Sequence, residues 1–325
     1  MKTWNKYNPL IQIISMPQII KHIEVRGNQA RQISNAISSV LKEFNKRAHV
    51  KKLEKINIYV TKNPVKVSRK ILSPIKLKRH GEIREWITEN APSFTYWKRG
   101  TTPIIMLNAN EKIFQKMDYD AIQGLFAHEL MHLLNKLDGI EDRLDNEIDK
   151  AGNNVIRLLE KHKEIEPFTL ERLLVSFVRV TTTTVLLIKD VLANSRAMSF
   201  GFDEELYENY KSTLSDARKI KYTESDIVTA LKHDQKHVLD DAYLTYLGLN
   251  NSWITFKMFR IKWYKYLQEL ARIEVPDVVK KNGNKVLKEI LKLRSGHDEK
   301  QIKEIIKLSQ NSYYEIVEYF CGKLK

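Results

Sequence analysis

Two of the nine histidines in this 325-residue chain stand four apart with a glutamate beside the first: His128-Glu129-Leu130-Met131-His132. On an α-helix, positions i and i+4 lie one turn apart on one face, so both imidazoles can reach a single metal ion. Glu129 points toward the same place without being a ligand. It can accept a proton from a water that the metal activates and pass it to a leaving group. Zinc is the ion this pattern predicts, because it lowers the pKa of a water toward neutrality and so supplies a nucleophile at physiological pH. The bland alternative is a pair of histidines on a buried helix face with no metal.

A catalytic zinc needs three protein ligands and one open position, and two downstream carboxylates are candidates for the third. Glu147, in Asp-Asn-Glu147-Ile-Asp149, resembles the N-E-x-x-D element of thermolysin-like enzymes. Its spacing from His132 is shorter than theirs, and the run EDRLDNEID around it reads as a solvated acidic face. Asp190, in Asp190-Val-Leu-Ala193-Asn194-Ser-Arg196-Ala197, is the preferred ligand. That pattern resembles the E-x-x-A-D-x-x-A element of the HtpX and CAAX-prenyl-protease family of gluzincins.

The resemblance implies that Asp190 ligates zinc with His128 and His132, and that Asn194 supports a zinc histidine from behind. It also implies a zinc metalloendopeptidase acting on protein or peptide substrates. Two departures from the family pattern have chemical consequences. Aspartate is one methylene shorter than glutamate, so its helix must approach the metal more closely. Asn194 can accept from a histidine N–H but lacks the charge that raises ligand basicity. The family's transmembrane helices are also not evident.

The elements that must hold these groups can be read from periodicity. Residues 28–47 place Ile33, Ala36, Ile37, Val40, Leu41 and Phe44 on one helical face. Strands are expected at Ile56–Val60, Phe94–Trp97 and Pro103–Leu107. The metal helix starts after an N-cap at Asp118 and stops near Gly139. Helices are then expected at 141–163, 168–199, 203–220, 224–247, 252–273, 276–293 and 298–323. The fold class is therefore α+β and predominantly helical. A zincin-like metallopeptidase core, a small sheet plus the metal helix, spans 1–221, and a helical C-terminal domain spans 222–325. In a zincin, the strand upstream of the metal helix forms the edge to which an extended substrate adds by main-chain hydrogen bonds.

Composition narrows the setting. The single cysteine, Cys321, cannot form an intramolecular disulfide, so a reducing, cytoplasmic location is expected. No signal peptide is read at the N-terminus. The apolar run Leu173 to Ile188 falls short of the roughly 20 residues a spanning helix needs. Arg179 and four threonines interrupt it, so no transmembrane segment is expected and a buried helix is. The formal net charge of +15 admits nucleic acid, anionic lipid or acidic protein as a partner.

Weaker signals complete the inventory. His233 and His237 repeat the i, i+4 spacing, as a second metal pair or a solvated helix face. Tyr207, Tyr210 or one of those histidines could donate to the oxyanion of peptide hydrolysis, and Arg196 could pair with a site carboxylate. The basic stretch Lys66 to His80 and the aromatic-basic run Phe256 to Tyr266 could contact nucleic acid, although the second reads best as a helix with its apolar face in the core. Two other functions compete with a plain protease: a catalytically silent, metal-stabilised scaffold for a protein or nucleic-acid partner, and a DNA-associated protease.

Overall fold

The computed structural model describes residues 18–47, 55–67, 93–97, 101–110, 112–161, 170–235, 237–293 and 298–324. Its sheet has the order β1-β2-β4-β3. β1 (Gln18–Ile23), β2 (Lys55–Thr61) and β4 (Ile104–Asn108) are parallel, and β3 (Ser93–Tyr96) is an antiparallel edge strand beside β4. Every residue of β4 is buried, as expected for a strand covered on both faces. β2 alternates, turning Ile56, Ile58 and Val60 into the core. The helix α1 (Gly27–Arg47) connects β1 to β2 and buries the six apolar residues that its periodicity marks.

After a short helix α2 (Lys112–Lys116) comes the helix of the His128-Glu129-x-x-His132 motif, α3 (Tyr119–Leu137). The Asp118 side chain caps it by accepting from the Ala121 N–H. Gly139, at φ 71°, turns the chain out of it, a left-handed conformation that glycine adopts at no steric cost. α4 (Ile140–Lys161), α5 (Leu170–Ser199) and α6 (Asp203–Thr213) follow. α3 packs against α1, α5, α6 and β3, so it sits at the centre of this half of the molecule. The remaining helices are α7 (Glu224–Lys232), α8 (His237–Met258), α9 (Tyr264–Leu270), α10 (Asp277–Ile290) and α11 (Glu299–Leu324). α8 and α11 both pack on α5, and one buried apolar core runs from Val25 to Cys321.

The structure departs from the sequence-based expectation in several places. β1 was not expected. The helix expected at 203–220 ends at Thr213, and a 3-10 turn follows at Ala217–Lys219. The helices expected at 224–247 and 252–273 are each interrupted, at 233–235 and 259–263, where Asp234 and Arg260 take left-handed φ values of 61° and 58°. His233 and His237 therefore flank a break rather than sharing a helix face, and the i, i+4 argument for a second metal pair does not apply to them. Most of the basic stretch Lys66 to His80 lies outside the described residues.

The apolar run Leu173 to Ile188 lies within α5. Its threonines form a polar seam with α11: Thr184 Oγ1 lies 2.7 Å from Ser309 Oγ, and Gln310 Nε2 donates to Thr181 Oγ1 at 2.8 Å. The helix is not buried all round, since Leu174, Val175, Val178 and Leu186 are exposed. Among the described residues, no helix is long and apolar enough to cross a membrane.

Candidate metal centre

The helical twist of α3 brings His128 Nε2 and His132 Nε2 to 3.0 Å from each other. Asp190, from α5, places Oδ1 3.3 Å from His132 Nε2 and 3.8 Å from His128 Nε2. Among the described residues these three form the one group of three or more His, Cys, Asp or Glu donors close enough to share an ion. The triangle can be tested against zinc. A point about 2.1 Å from all three atoms, the zinc bond length, stands about 0.7 Å out of their plane, which is the offset of a tetrahedral centre. Two imidazole nitrogens and one carboxylate oxygen are also a donor set zinc prefers, and three protein ligands leave a fourth position for water or substrate. Asp190 is 36% exposed against 12% and 13% for the histidines, so the site faces solvent on the aspartate side.

Each imidazole is oriented from behind. His128 Nδ1 donates to Asn194 Oδ1 at 2.7 Å, one helical turn beyond Asp190 on α5. His132 Nδ1 donates to Glu141 Oε1 at 2.6 Å, in the first turn of α4. With both Nδ1 protons committed, the two Nε2 atoms face the common point. Burial lowers the pKa of His132, but the charge of Glu141, hydrogen bonds to Asp190 and Glu141, and the charge of Glu129 outweigh it and raise the group to about 10. A pocket whose field favours a proton on that nitrogen also favours a cation in the proton's place. Burial pushes the Glu141 carboxyl up, yet the charge and hydrogen bond of His132, with Lys189 and Lys136 nearby, hold it below its ordinary value.

Glu129 is buried and gripped by the edge strand. Ser93 Oγ donates to its Oε1 at 2.7 Å, and Thr95 Oγ1 lies 2.7 Å from its Oε2 and 2.9 Å from its backbone oxygen. Ser93 and Thr95 are two apart on β3, so both hydroxyls project to the α3 side of the strand. Tyr210, from α6, closes another side, its hydroxyl accepting from Asn194 Nδ2 at 2.6 Å. Burial and the neighbouring Asp190 charge raise the phenol well above its ordinary pKa, so it stays a proton donor. α6 reaches this position because α3 carries Gly124 where the two helices cross. A Cβ there would stand 2.0 Å from the Glu205 carbonyl oxygen.

No protein-family model, curated protein or solved structure matches this chain. The resemblance to the gluzincins rests on its two short motifs.

Of the residues singled out from the sequence, His128, Glu129, His132, Asp190, Asn194 and Tyr210 come together in one place. Glu147 does not join them. It is buried on α4, where Lys150 Nζ stands 2.7 Å from Oε1 and Lys303 of α11 at 4.0 Å. Arg196 reaches Asp138 Oδ2 at 2.7 Å and Asn135 Oδ1 at 3.1 Å, not a site carboxylate. Tyr207 packs on Trp263, with ring centroids 4.9 Å apart. Sequence reasoning missed Glu141, Ser93 and Thr95. The signal for Glu141 was its position, two residues after the Gly139 turn that folds α4 back over α3. For the hydroxyls it was their i, i+2 spacing in a strand already suspected of lying beside the metal helix.

Proposed function

We propose that this chain is a zinc-dependent metalloprotease. The observation that carries the reading is the convergence of His128 Nε2, His132 Nε2 and Asp190 Oδ1 on one point, with Glu129 on the same helix and near enough for its charge to raise the pKa of His132. Zinc bound by these atoms supplies Lewis-acid polarisation of a carbonyl and lowers the pKa of a water toward neutrality. The chain's own residues supply the rest. Glu129 takes the proton of the attacking water on a carboxylate oxygen and delivers it to the leaving nitrogen. Ser93 and Thr95 hold that carboxylate in register with the metal helix. The Tyr210 hydroxyl, still protonated at neutral pH, donates to the oxyanion as it develops. β3 offers its outer edge, unpaired among the described residues, to an extended peptide whose main chain continues the sheet. A purely structural zinc site would be closed by four ligands and would have no use for a base at Glu129.

The test combines metal content with hydrolysis. Mass spectrometry of the purified chain should find about one zinc per molecule, lost in Asp190→Ala and kept in Glu147→Ala. Glu129→Gln should retain the zinc and the melting temperature while losing cleavage of a casein or mixed-peptide substrate. A chain that takes up no zinc when it is resupplied would sink the proposal. Cleavage that survives Glu129→Gln would remove the catalytic assignment.

A further inference from the structure

The aromatic-basic run Phe256 to Tyr266 was expected to bury its apolar face along one helix. The interruption between Met258 and Tyr264 removes that arrangement. Phe256 stays buried, but Phe259 is 44% exposed and Tyr266 50% exposed. Arg260 sits at the corner with φ 58°. The turn brings three rings together, Tyr207 and Trp263 half-buried and Tyr266 exposed: Tyr207 of α6 lies 4.9 Å from Trp263 and 6.2 Å from Tyr266, centroid to centroid. Four cations lie on the same elements. Lys211 Nζ stands 5.8 Å from the Tyr207 ring, and Arg260, Lys262 and Lys265 are exposed.

The ion pairs around this corner leave its charge uncompensated. Among the described residues, Arg260, Lys262 and Lys265 have no carboxylate partner. Glu208 is taken by Lys211, and Glu269 by Arg218 and Arg272. Elsewhere on the C-terminal helices lysines do find acids, as Lys285 finds Glu315 and Lys323 finds Glu224. An exposed ring, Tyr266, backed by two half-buried rings and flanked by unpaired cations offers what an unpaired nucleic-acid strand needs: a π-face for a base and positive charge for its phosphates. A duplex keeps its base faces stacked inside and would use only the cations.

We propose that the α8–α9 corner, with Tyr207 and Lys211 of α6, binds single-stranded nucleic acid. Tyr207 lies one helical turn before Tyr210 on α6. This reading does not depend on protease activity, because neither the rings nor the cations belong to the metal centre.

The two contributions separate by salt. With three or four phosphates engaged, the affinity for a single strand follows salt with a log–log slope of about −2 to −3, a loss of roughly 20- to 50-fold between 50 and 200 mM. The experiment is fluorescence anisotropy of the full chain with labelled 20-mers of oligothymidylate and oligouridylate across that range. A duplex of the same length and anionic phosphatidylserine vesicles are run beside them. Arg260→Gln with Lys262→Gln should flatten the slope by about 1.4. Tyr266→Ala should weaken binding at every salt concentration, on the order of tenfold, with the slope unchanged. Tyr266→Phe, which keeps the ring, should bind as the parent does and so separates stacking from any loss of fold. Equal affinity for duplex and single strand, no effect of Tyr266→Ala, or capture by vesicles without binding to the oligonucleotides would each overturn the proposal.

Discussion

Replacing Glu141 by glutamine isolates the electrostatic support of one proposed ligand. Glutamine keeps the length of the side chain and an acceptor oxygen for His132 Nδ1, so the imidazole keeps its tautomer and loses only the charge behind it. The bond in question is short, 2.6 Å. A hydrogen bond to a charged group contributes roughly 1.5–3 kcal/mol against about 0.5–1.5 for a neutral one, so the local loss is about 1–1.5 kcal/mol. The missing charge also attracts the ion at longer range. Lys136 and Lys189, 4.0 and 3.8 Å from Glu141 Oε2, already offset part of that field. The total should fall within the roughly 10- to 100-fold loss typical when a group supporting a metal ligand is removed. Competition with a zinc-chelating dye measures it at fixed pH.

Stability has to be separated from affinity, because Glu141 is buried and its loss leaves two ammonium groups less well paired. Lys189 keeps Asp145 at 2.6 Å, so the fold should survive. Asp145→Asn is the control: it disturbs the same lysine without touching His132. Zinc affinity of Glu141→Gln within twofold of the parent would refute the reasoning. So would an equal loss of affinity in Asp145→Asn, which would trace the effect to the lysines and not to the imidazole.

Four further outcomes follow from the same geometry. Asn194→Asp places a charge behind His128 without changing side-chain size, and zinc affinity in the dye assay should rise, on the order of tenfold. Metal-free His132, raised to about 10, carries a proton at neutral pH that zinc must displace. Affinity should therefore increase about tenfold per pH unit between roughly 7 and 9, and calorimetry in buffers of different ionisation enthalpy should show a proton released. Ser93→Ala with Thr95→Val frees the Glu129 carboxylate, so peptide cleavage should lose kcat, by about 10- to 100-fold if the geometry is loosened by an ångström, while zinc content stays near one. Gly124→Ala forces a methyl against the Glu205 backbone. Thermal unfolding should show a loss of at least about 1–3 kcal/mol, and a normal melting temperature would mean the two helices are not in such close contact.

What could be read from the sequence was whatever has a local cause. The Asp118 cap and the Gly139 stop each depend on one residue and its own backbone, and the apolar face of α1 repeats strictly enough to mark its own core positions. β1 escaped because QIIKHI places a lysine and a histidine among its isoleucines, as an edge strand with half-exposed residues can. The helix breaks at Asp234 and Arg260 escaped because neither glycine nor proline marks them. The chain takes a left-handed turn at each of these two residues. At the candidate metal centre, the histidines and Glu129 share one helix and their spacing is their geometry. The carboxylate partners come from other helices. In EDRLDNEID, Glu141 and Glu147 are both buried, one behind His132 and one against Lys150. Nothing in an acidic run says which member turns inward.

Aspartate at position 190, one methylene shorter than glutamate, makes the distant helices part of the proposed site. A shorter side chain requires α5 to lie closer to α3, and its own intrahelical bonds cannot fix that distance. The C-terminal helices can. Asp240 of α8 receives Ser176 at 3.0 Å and Arg179 at 2.9 Å from α5, and also the Tyr313 hydroxyl from α11. Asn251 of α8 donates to the Leu187 carbonyl at 3.2 Å, three residues before the proposed ligand. These bonds lie across residue 221, where sequence composition suggested a division. The residues after 221 therefore hold the helix that carries Asp190 from its outer side. In a fragment ending at residue 221, that helix would lose both this polar seam and its packing against α8 and α11. Such a fragment should keep the two histidines and still fail to retain zinc, which a longer glutamate at position 190 would only partly repair.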